Sequence, residues 1–310
     1  MDPGMIRHLA LGALVPGFAS LFLFAIIWWR RPSNLTHSGL GWLLESAALS
    51  IAVIAGLYTV LNGFTATPIA SDQRLPYVAV IAALGAAMAG ASRAHRSGAA
   101  GLVPFLFTLL AATFVGTHAG SAATWPLWKY ASVLAGAALF GTAIFLALSH
   151  TFAKASPRLG LVAATLVAGS AGQVLVLALA SLKLGQSAGV VSAALGGAAA
   201  VAFVRVSPGL RAAGAALASI MLTVILAQGA LFGEPDLLEG VAYAASVPLG
   251  AILVALCQCR FASRLPTGAR WMITLFAAIF PAALAVFIAL QRADSADEYD
   301  YEATTSITES

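Results

Sequence analysis

Chemistry inside an apolar chain rests on the few polar or kinked positions that interrupt its hydrophobic segments, and six of these stand out. Glu45 is the only acid deeper than the first turn of such a segment. A carboxylate at a helix centre costs about 2.5–3.5 kcal/mol to insert, which ordinarily marks a functional group. It falls near the inner end of its segment, so it also reads as an anchor extended toward headgroups or toward Arg30 and Arg31. Gln173 follows Gly169-Ser170-Ala171-Gly172, where glycines weaken the helix and its amide needs a partner. One interhelical hydrogen bond, contributing about 0.6–2 kcal/mol, would satisfy it; a place in a substrate site is the sharper alternative. Pro104 and Pro248 each remove a backbone donor and free a carbonyl one turn earlier, that of Ala244 in the second case. Together with Thr108 and Ser246 these residues are expected to line a polar pocket, and the six form the candidate substrate pathway.

Other chemistry finds less footing. His8 and His118 fall near one face of the membrane and His37, His95 and His150 near the other. Paired histidines on facing helices hold haem in some proteins, but loop or interfacial positions account for these five. Cys257-Gln258-Cys259 is too closely spaced for a zinc or iron–sulfur ligand set and supplies no disulfide framework. No GxSxG, HExxH, P-loop or dinucleotide fingerprint occurs. The expectation is therefore a protein without enzymatic activity, cofactor or metal.

The elements that must position the six residues follow from composition. Only 9% of the residues are charged, 60% are hydrophobic and the mean hydropathy is +0.92, far from the make-up of a soluble domain. A chain this apolar must pair its backbone internally, as helices or as a closed barrel. Barrel strands alternate apolar and polar residues, whereas 159–182 is apolar on every side. The fold class is thus all-α, a polytopic integral membrane protein of about ten transmembrane helices. Expected spans are 8–29, 40–61, 75–91, 99–116, 127–148, 159–182, 189–204, 210–232, 237–257 and 271–290. The first is read as a membrane helix, its apolar run being too long for a signal peptide.

Loop charge sets direction, because Lys and Arg near span ends stay in the cytoplasm. Arg30, Arg31, Arg93, Arg96, Lys154, Arg158, Arg205, Arg211, Arg260, Arg264 and Arg270 fall on one side, eleven of the sixteen basic residues. The other side holds Arg7, Arg74, Lys129, Lys183 and Arg292 with eleven of the twelve acids. A missed span would swap every later loop, so the count of ten and the direction support each other. The expectation is an inner-membrane protein with both termini on the non-cytoplasmic side. Trp28, Trp29, Trp42 and Trp271 at inner ends and Trp125 and Trp128 at an outer end fit the aromatic belts. Asn34-Leu35-Thr36 matches a glycosylation sequon but falls on the cytoplasmic side. The pI near 9.3 reflects basic pairs beside lipid headgroups, so the bilayer and not a nucleic acid is the expected partner.

One transmembrane domain, residues 1–290, is followed by an acidic tail, 291–310, expected to be disordered and solvated or else to dock a basic protein partner. Five helices per half, 1–150 and 151–290, would make the second half an inverted copy of the first, as in carriers that bind substrate at paired interrupted helices. Pro16 and Gly17 in the first span would pair with Gly169 to Gln173 in the sixth, and Pro104 with Pro248; Pro281 has no counterpart. Gly185 and Gly189 are spaced as GxxxG, and Gly85, Gly90, Gly136, Gly141, Gly196, Gly197 and Gly214 lie among alanines, which reads as general close packing. In length, span count and outward-facing ends the chain is similar to ten-helix elevator-type carriers such as the auxin efflux carrier family. That resemblance is architectural and would imply transport at a helix crossover. Drug/metabolite exporters share the span count but have cytoplasmic termini. The functional expectation is a permease or exporter of a small neutral solute, of secondary-carrier type; the alternative is a non-transporting accessory subunit of a larger membrane complex.

Overall fold

The computed structural model describes residues 3–29, 39–61, 63–64, 68, 70, 72–94, 101–116, 126–204, 211–232, 237–258 and 265–308, with the backbone alone at 3–9, 39–42, 92–94, 211, 232, 237 and 293–308. The sequon, His37, His95, His118, Cys259 and Trp125 lie outside the described residues, as do the side chains of His8, Trp42 and the tail acids.

Ten α-helices follow one another: α1 Pro3–Trp29, α2 Gly39–Val60, α3 Leu75–Ala94, α4 Leu102–Gly116, α5 Leu127–Lys154, α6 Pro157–Gln173, α7 Leu182–Val204, α8 Arg211–Phe232, α9 Leu237–Leu256 and α10 Thr267–Thr308. Among the described residues, nine of them contain a stretch long and apolar enough to cross a bilayer, and α4, of 15 residues, is the short one. The protein is an all-α polytopic membrane protein.

The boundaries depart from expectation where local chemistry outweighs hydropathy. Apolarity alone runs the sixth span on to residue 182, but α6 gives way at Gln173 to a π-helical turn, Val174–Ala178. There the Leu179 N–H reaches back to Val174 O (3.0 Å) and Ser181 N–H to Leu175 O (2.8 Å). Ala180 then takes a left-handed conformation (φ 50°), which ends the helix and starts α7 at Leu182, seven residues before its expected beginning. At the other end of α6, Ser156 caps the helix by accepting from Leu159 N–H at 3.3 Å, with Pro157 in the first turn, where its missing donor is harmless.

α8 is the axis of the bundle, and every residue from Ala212 to Leu226 is buried. Around it runs a closed ring in which α2 packs on α3, α3 on α4, α4 on α5, α5 on α9, α9 on α6, α6 on α7 and α7 back on α2. α1 lies outside the α2/α7 seam and α10 outside the α9/α6 seam. Successive helices pack on one another alike in the two halves, but the contacts between the halves are not reciprocal. α3, the counterpart of α8 in such a scheme, belongs to the ring, and α8 is embedded chiefly among α3, α4 and α5 of the other half.

Polar contacts between elements join ends that the loop charges assign to the same side. On one face Lys183 pairs with Asp72 at 2.7 Å, Arg292 pairs with Glu239, and the buried Arg74 donates to Phe114 O at 2.6 Å and Pro68 O at 3.3 Å while lying over the Phe114 ring. Arg74 thereby supplies a donor and a positive charge to the carbonyl end of α4. On the opposite face Arg158 donates to Ala202 O (3.0 Å) and covers Phe203, which contacts Trp271, while Gln258 donates to Thr274 Oγ1 (3.1 Å). The two faces are called below the Glu239 face and the Arg158 face.

Helix association comes from close backbone approach, since lipid offers no hydrophobic drive. At the α1/α7 crossing a Cβ on Gly197 would overlap Gly17 O and lie 2.9 Å from Leu21 N, both backbone atoms that cannot swing away. Ser20 adds a hydrogen bond to Ala194 O at 2.5 Å. Pro16 does not break α1; it packs against Gly56 of α2, where a Cβ would meet its ring carbons at 2.9 Å. Gly189, one helix face away on α7, has nothing within 4 Å of a Cβ. Gly197→Ala is therefore expected to lower stability by about 1–3 kcal/mol through overpacking, while Gly189→Ala is neutral or stabilises by up to about 1 kcal/mol. Thermal unfolding of the two variants in detergent separates these outcomes.

Candidate functional site

The six candidate residues do not converge on one polar pocket; Glu45, Gln173 and Thr108 lie in three separate places. The first lies near the Arg158 face, where α1 ends and α2 begins. Glu45, the seventh residue of α2, is turned inward and only 3% exposed, and Trp28 donates its indole N–H to Glu45 Oε1 at 3.0 Å. The Phe24 ring packs on that indole with centroids 4.8 Å apart. The carboxylate thus sits between helices and does not extend to the headgroups.

The second place is a groove between α1, α6 and α7, of about 400 Å3, lined largely by glycines that include Gly12, Gly169, Gly172 and Gly189. Gln173 is exposed here, with the half-buried Gln186 of α7 beside it in the same groove. Because the π turn ends the span at Ala178, Gln173 is not at mid-membrane. It lies in the third of the span toward the Glu239 face, about 8 Å along the helix from its end.

The third place is at mid-membrane, where α4, α5 and α8 cross. Thr108, the seventh residue of α4, and Thr223, the thirteenth of α8, approach α5 at Gly141; a Cβ there would be 2.7 Å from Thr108 Oγ1 and 3.2 Å from Thr223 Oγ1. Both threonines are buried, and neither hydroxyl has a hydrogen-bond partner. Thr223 also lines a cleft of about 230 Å3 between α5, α8 and α9, whose other walls include Gly136, Phe140, Leu226, Val241 and Ala244. Exposed Ser132 and Leu238 stand at its rim toward the Glu239 face.

The prolines behave differently from one another. Pro104 is the third residue of α4, in a first turn where a backbone donor has no intrahelical partner, so it interrupts nothing and frees no carbonyl inside the helix. Pro248 is internal to α9 and deprives the Ala244 carbonyl of its usual donor. Ser246, two residues away, is buried and spends its hydroxyl on Tyr243 O at 2.6 Å. Pro104 and Pro248 are not paired across the molecule, since α5 lies between α4 and α9.

Of the expected set, Thr108 and the carbonyl released by Pro248 therefore belong to one region, while Glu45 and Gln173 each stand elsewhere. Sequence reasoning passed over Thr223. The signal was there: Ser219 and Thr223 are polar residues one turn apart in an otherwise alanine-rich span, opposite glycine-containing α5. Among the described residues no group of three or more His, Cys, Asp or Glu side chains is placed to hold a metal.

No protein-family model matches the chain, and no curated protein is similar enough to count as a match.

The different settings of Trp28 and Gln173 give opposite expectations. Trp28→Phe preserves an aromatic ring but removes one hydrogen bond to a buried acid, a loss of about 1–3 kcal/mol. Gln173→Leu, at an exposed position, changes stability by no more than about 0.5 kcal/mol. Melting curves of purified variants distinguish them, and an equal fall in both would contradict the two placements.

Proposed function

We propose that the chain is a secondary carrier for a small, largely apolar or neutral solute, taken up sideways from the bilayer through the cleft between α5, α8 and α9. The observation that carries this reading is the cleft itself. It opens on the flank of the bundle, has apolar walls, and ends at mid-membrane beside Thr223 and the Pro248-released carbonyl of Ala244. An ionic solute would find no counter-charge among the lining residues, and burying an unpaired charge is prohibitively costly.

Rocking of two five-helix halves is not the motion this reading uses, because α8 is enclosed by helices of both. The cleft opens instead by flexing of α9 at Pro248, where one backbone hydrogen bond is already missing. No enzymatic step or cofactor is invoked. Filling the cleft is the direct test. A Cβ at Gly136 has nothing within 4 Å and Gly136 lines the cleft, so Gly136→Leu directs a side chain into the void. Cells producing the protein are expected to alter their accumulation of at least one member of a panel of radiolabelled neutral lipophilic compounds, and Gly136→Leu at equal expression abolishes the difference. No difference for any compound would remove transport from consideration.

A second reading, an accessory subunit of a larger membrane complex, draws on the glycine groove. Gln173 and Gln186 face it from α6 and α7, and amides turned toward hydrocarbon gain from a partner helix that supplies hydrogen bonds. Co-purification of a stoichiometric membrane partner without crosslinking, lost on Gln173→Leu, would favour this reading over the first.

For orientation we place the chain in the inner membrane with both termini and the Glu239 face on the non-cytoplasmic side, from the distribution of Lys and Arg. Alkaline phosphatase joined after Leu290 is then active, and a fluorescent protein that matures only in the cytosol is dark at the same junction. The reverse pattern would invert the assignment.

A further inference from the structure

The inner end of the cleft holds more hydrogen-bonding capacity than the protein uses. A helical threonine commonly satisfies its hydroxyl on the carbonyl one turn back, and Thr113, Thr142, Thr151 and Thr165 do so here at 2.7 to 2.8 Å. Thr108 and Thr223 do not, although they are 0% and 2% exposed. Both hydroxyls converge on Gly141 of α5, where no side chain stands between them. Ala244, on the same cleft, offers a carbonyl that the Pro248 nitrogen cannot serve. Buried polar groups with no water to turn to are costly to leave unmet. Here Thr223, whose hydroxyl is unmet, and Ala244, whose carbonyl has lost its usual donor, line an otherwise apolar slot; Thr223 Oγ1 is turned toward Gly141 and reaches the slot by rotation about χ1.

We propose that this cleft binds a lipid-like molecule bearing a single neutral oxygen function, an alcohol or ketone, at the end of an extended apolar body, with that oxygen meeting Thr223 at mid-membrane. The proposal rests on the carrier reading above and narrows its substrate. Two further features favour it. The cleft is smaller than the roughly 300–1,000 Å3 that encloses a drug-sized ligand, so it takes one end of a molecule while the remainder stays in the leaflet on the Glu239 side. Its rim, at Ser132 and Leu238, stands toward that same leaflet. A carboxylate or phosphate is disfavoured because no basic side chain lines the slot.

The test uses the full chain in lipid nanodiscs and three photoreactive probes of equal length, each with a mid-chain diazirine: a dodecyl alcohol, the corresponding hydrocarbon and the corresponding carboxylic acid. After photolysis, labelled peptides are mapped by mass spectrometry. The alcohol is expected to label the segments around Phe140, Leu226 and Val241 roughly five- to tenfold more than the hydrocarbon, the preference of one added hydrogen bond. Thr223→Val keeps the shape and removes the hydroxyl, and brings alcohol labelling down to the hydrocarbon level. Gly136→Leu suppresses labelling of these segments by both probes. Equal labelling by alcohol and hydrocarbon, labelling by the acid as strong as by the alcohol, or an alcohol preference that survives Thr223→Val would each overturn the proposal. Because labelling reads binding alone, an alcohol preference without any change in cellular accumulation would support the site while removing the carrier; altered accumulation without the preference would do the reverse.

Discussion

The whole bundle depends on how closely backbones can approach in a medium that gives apolar side chains no reason to associate. Lipid tails solvate leucine as well as another helix does, so van der Waals contact and scarce polar contacts must hold the helices together. α8 meets this condition most fully: Ala212, Ala213, Ala215, Ala216 and Ala218 line its first half, and all are buried. Alanine loses no side-chain entropy on packing, which lets seven helices close around a single axis. Elsewhere the same end is reached by glycine: Gly229 admits Leu175 and Leu179, Gly85 admits Phe107 and Ile220, and Gly197 lets α1 and α7 touch through their backbones.

Polar side chains are then used sparingly and mostly at helix ends. Arg74, Arg158, Gln258 and the Lys183–Asp72 pair join neighbouring elements near the two faces, where headgroups and water share the cost of desolvation. Glu45 is the deepest acid, and it is met by the Trp28 indole. Ser20 and Ser192 bond across to carbonyls of the facing helix, while Ser246 and most threonines bond within their own. The Thr108–Gly141–Thr223 crossing departs from that pattern, as the Tyr130 hydroxyl on α5 also does, and its position beside a void makes the departure chemical as well as geometric.

Much of this architecture could be read from the residues. Hydropathy marks ten helices, and the glycines among alanines announce close packing. What could not be read is which face of each helix turns inward. α1 and α7 are apolar all round, so no periodic stripe distinguishes lipid from protein, and nothing in the sequence shows that Gln173 faces a groove on the flank of α6. The end of α6 was equally hidden: Val174 to Leu182 is uniformly apolar apart from Ser181, and it is the shift to i→i−5 bonding and the backbone of Ala180 that stop the helix. Pro104 misled for a related reason, since a proline interrupts a helix only when a turn precedes it. The five-plus-five count was arithmetically sound, but connectivity does not dictate that α8 should occupy the centre while α3 stays in the ring.

That central placement constrains mechanism more than any single residue. A helix enclosed on all sides cannot swing without breaking contacts to elements of both halves, so mobility must reside in the ring or outside it. α9 is the ring member with an internal proline, and it packs on α5, α8 and α10 at the edge of an apolar cleft that reaches toward mid-membrane. Bending it at Pro248 changes the width of that cleft while leaving α8 and its contacts with α3 in place. In the carrier proposed above, a solute admitted there needs no aqueous path through the alanine-packed interior. The solid core and the lateral opening are thus two consequences of the same packing rule: where small residues meet, helices seal, and where Gly136 faces Leu226 and Val241 with nothing between them, they leave room.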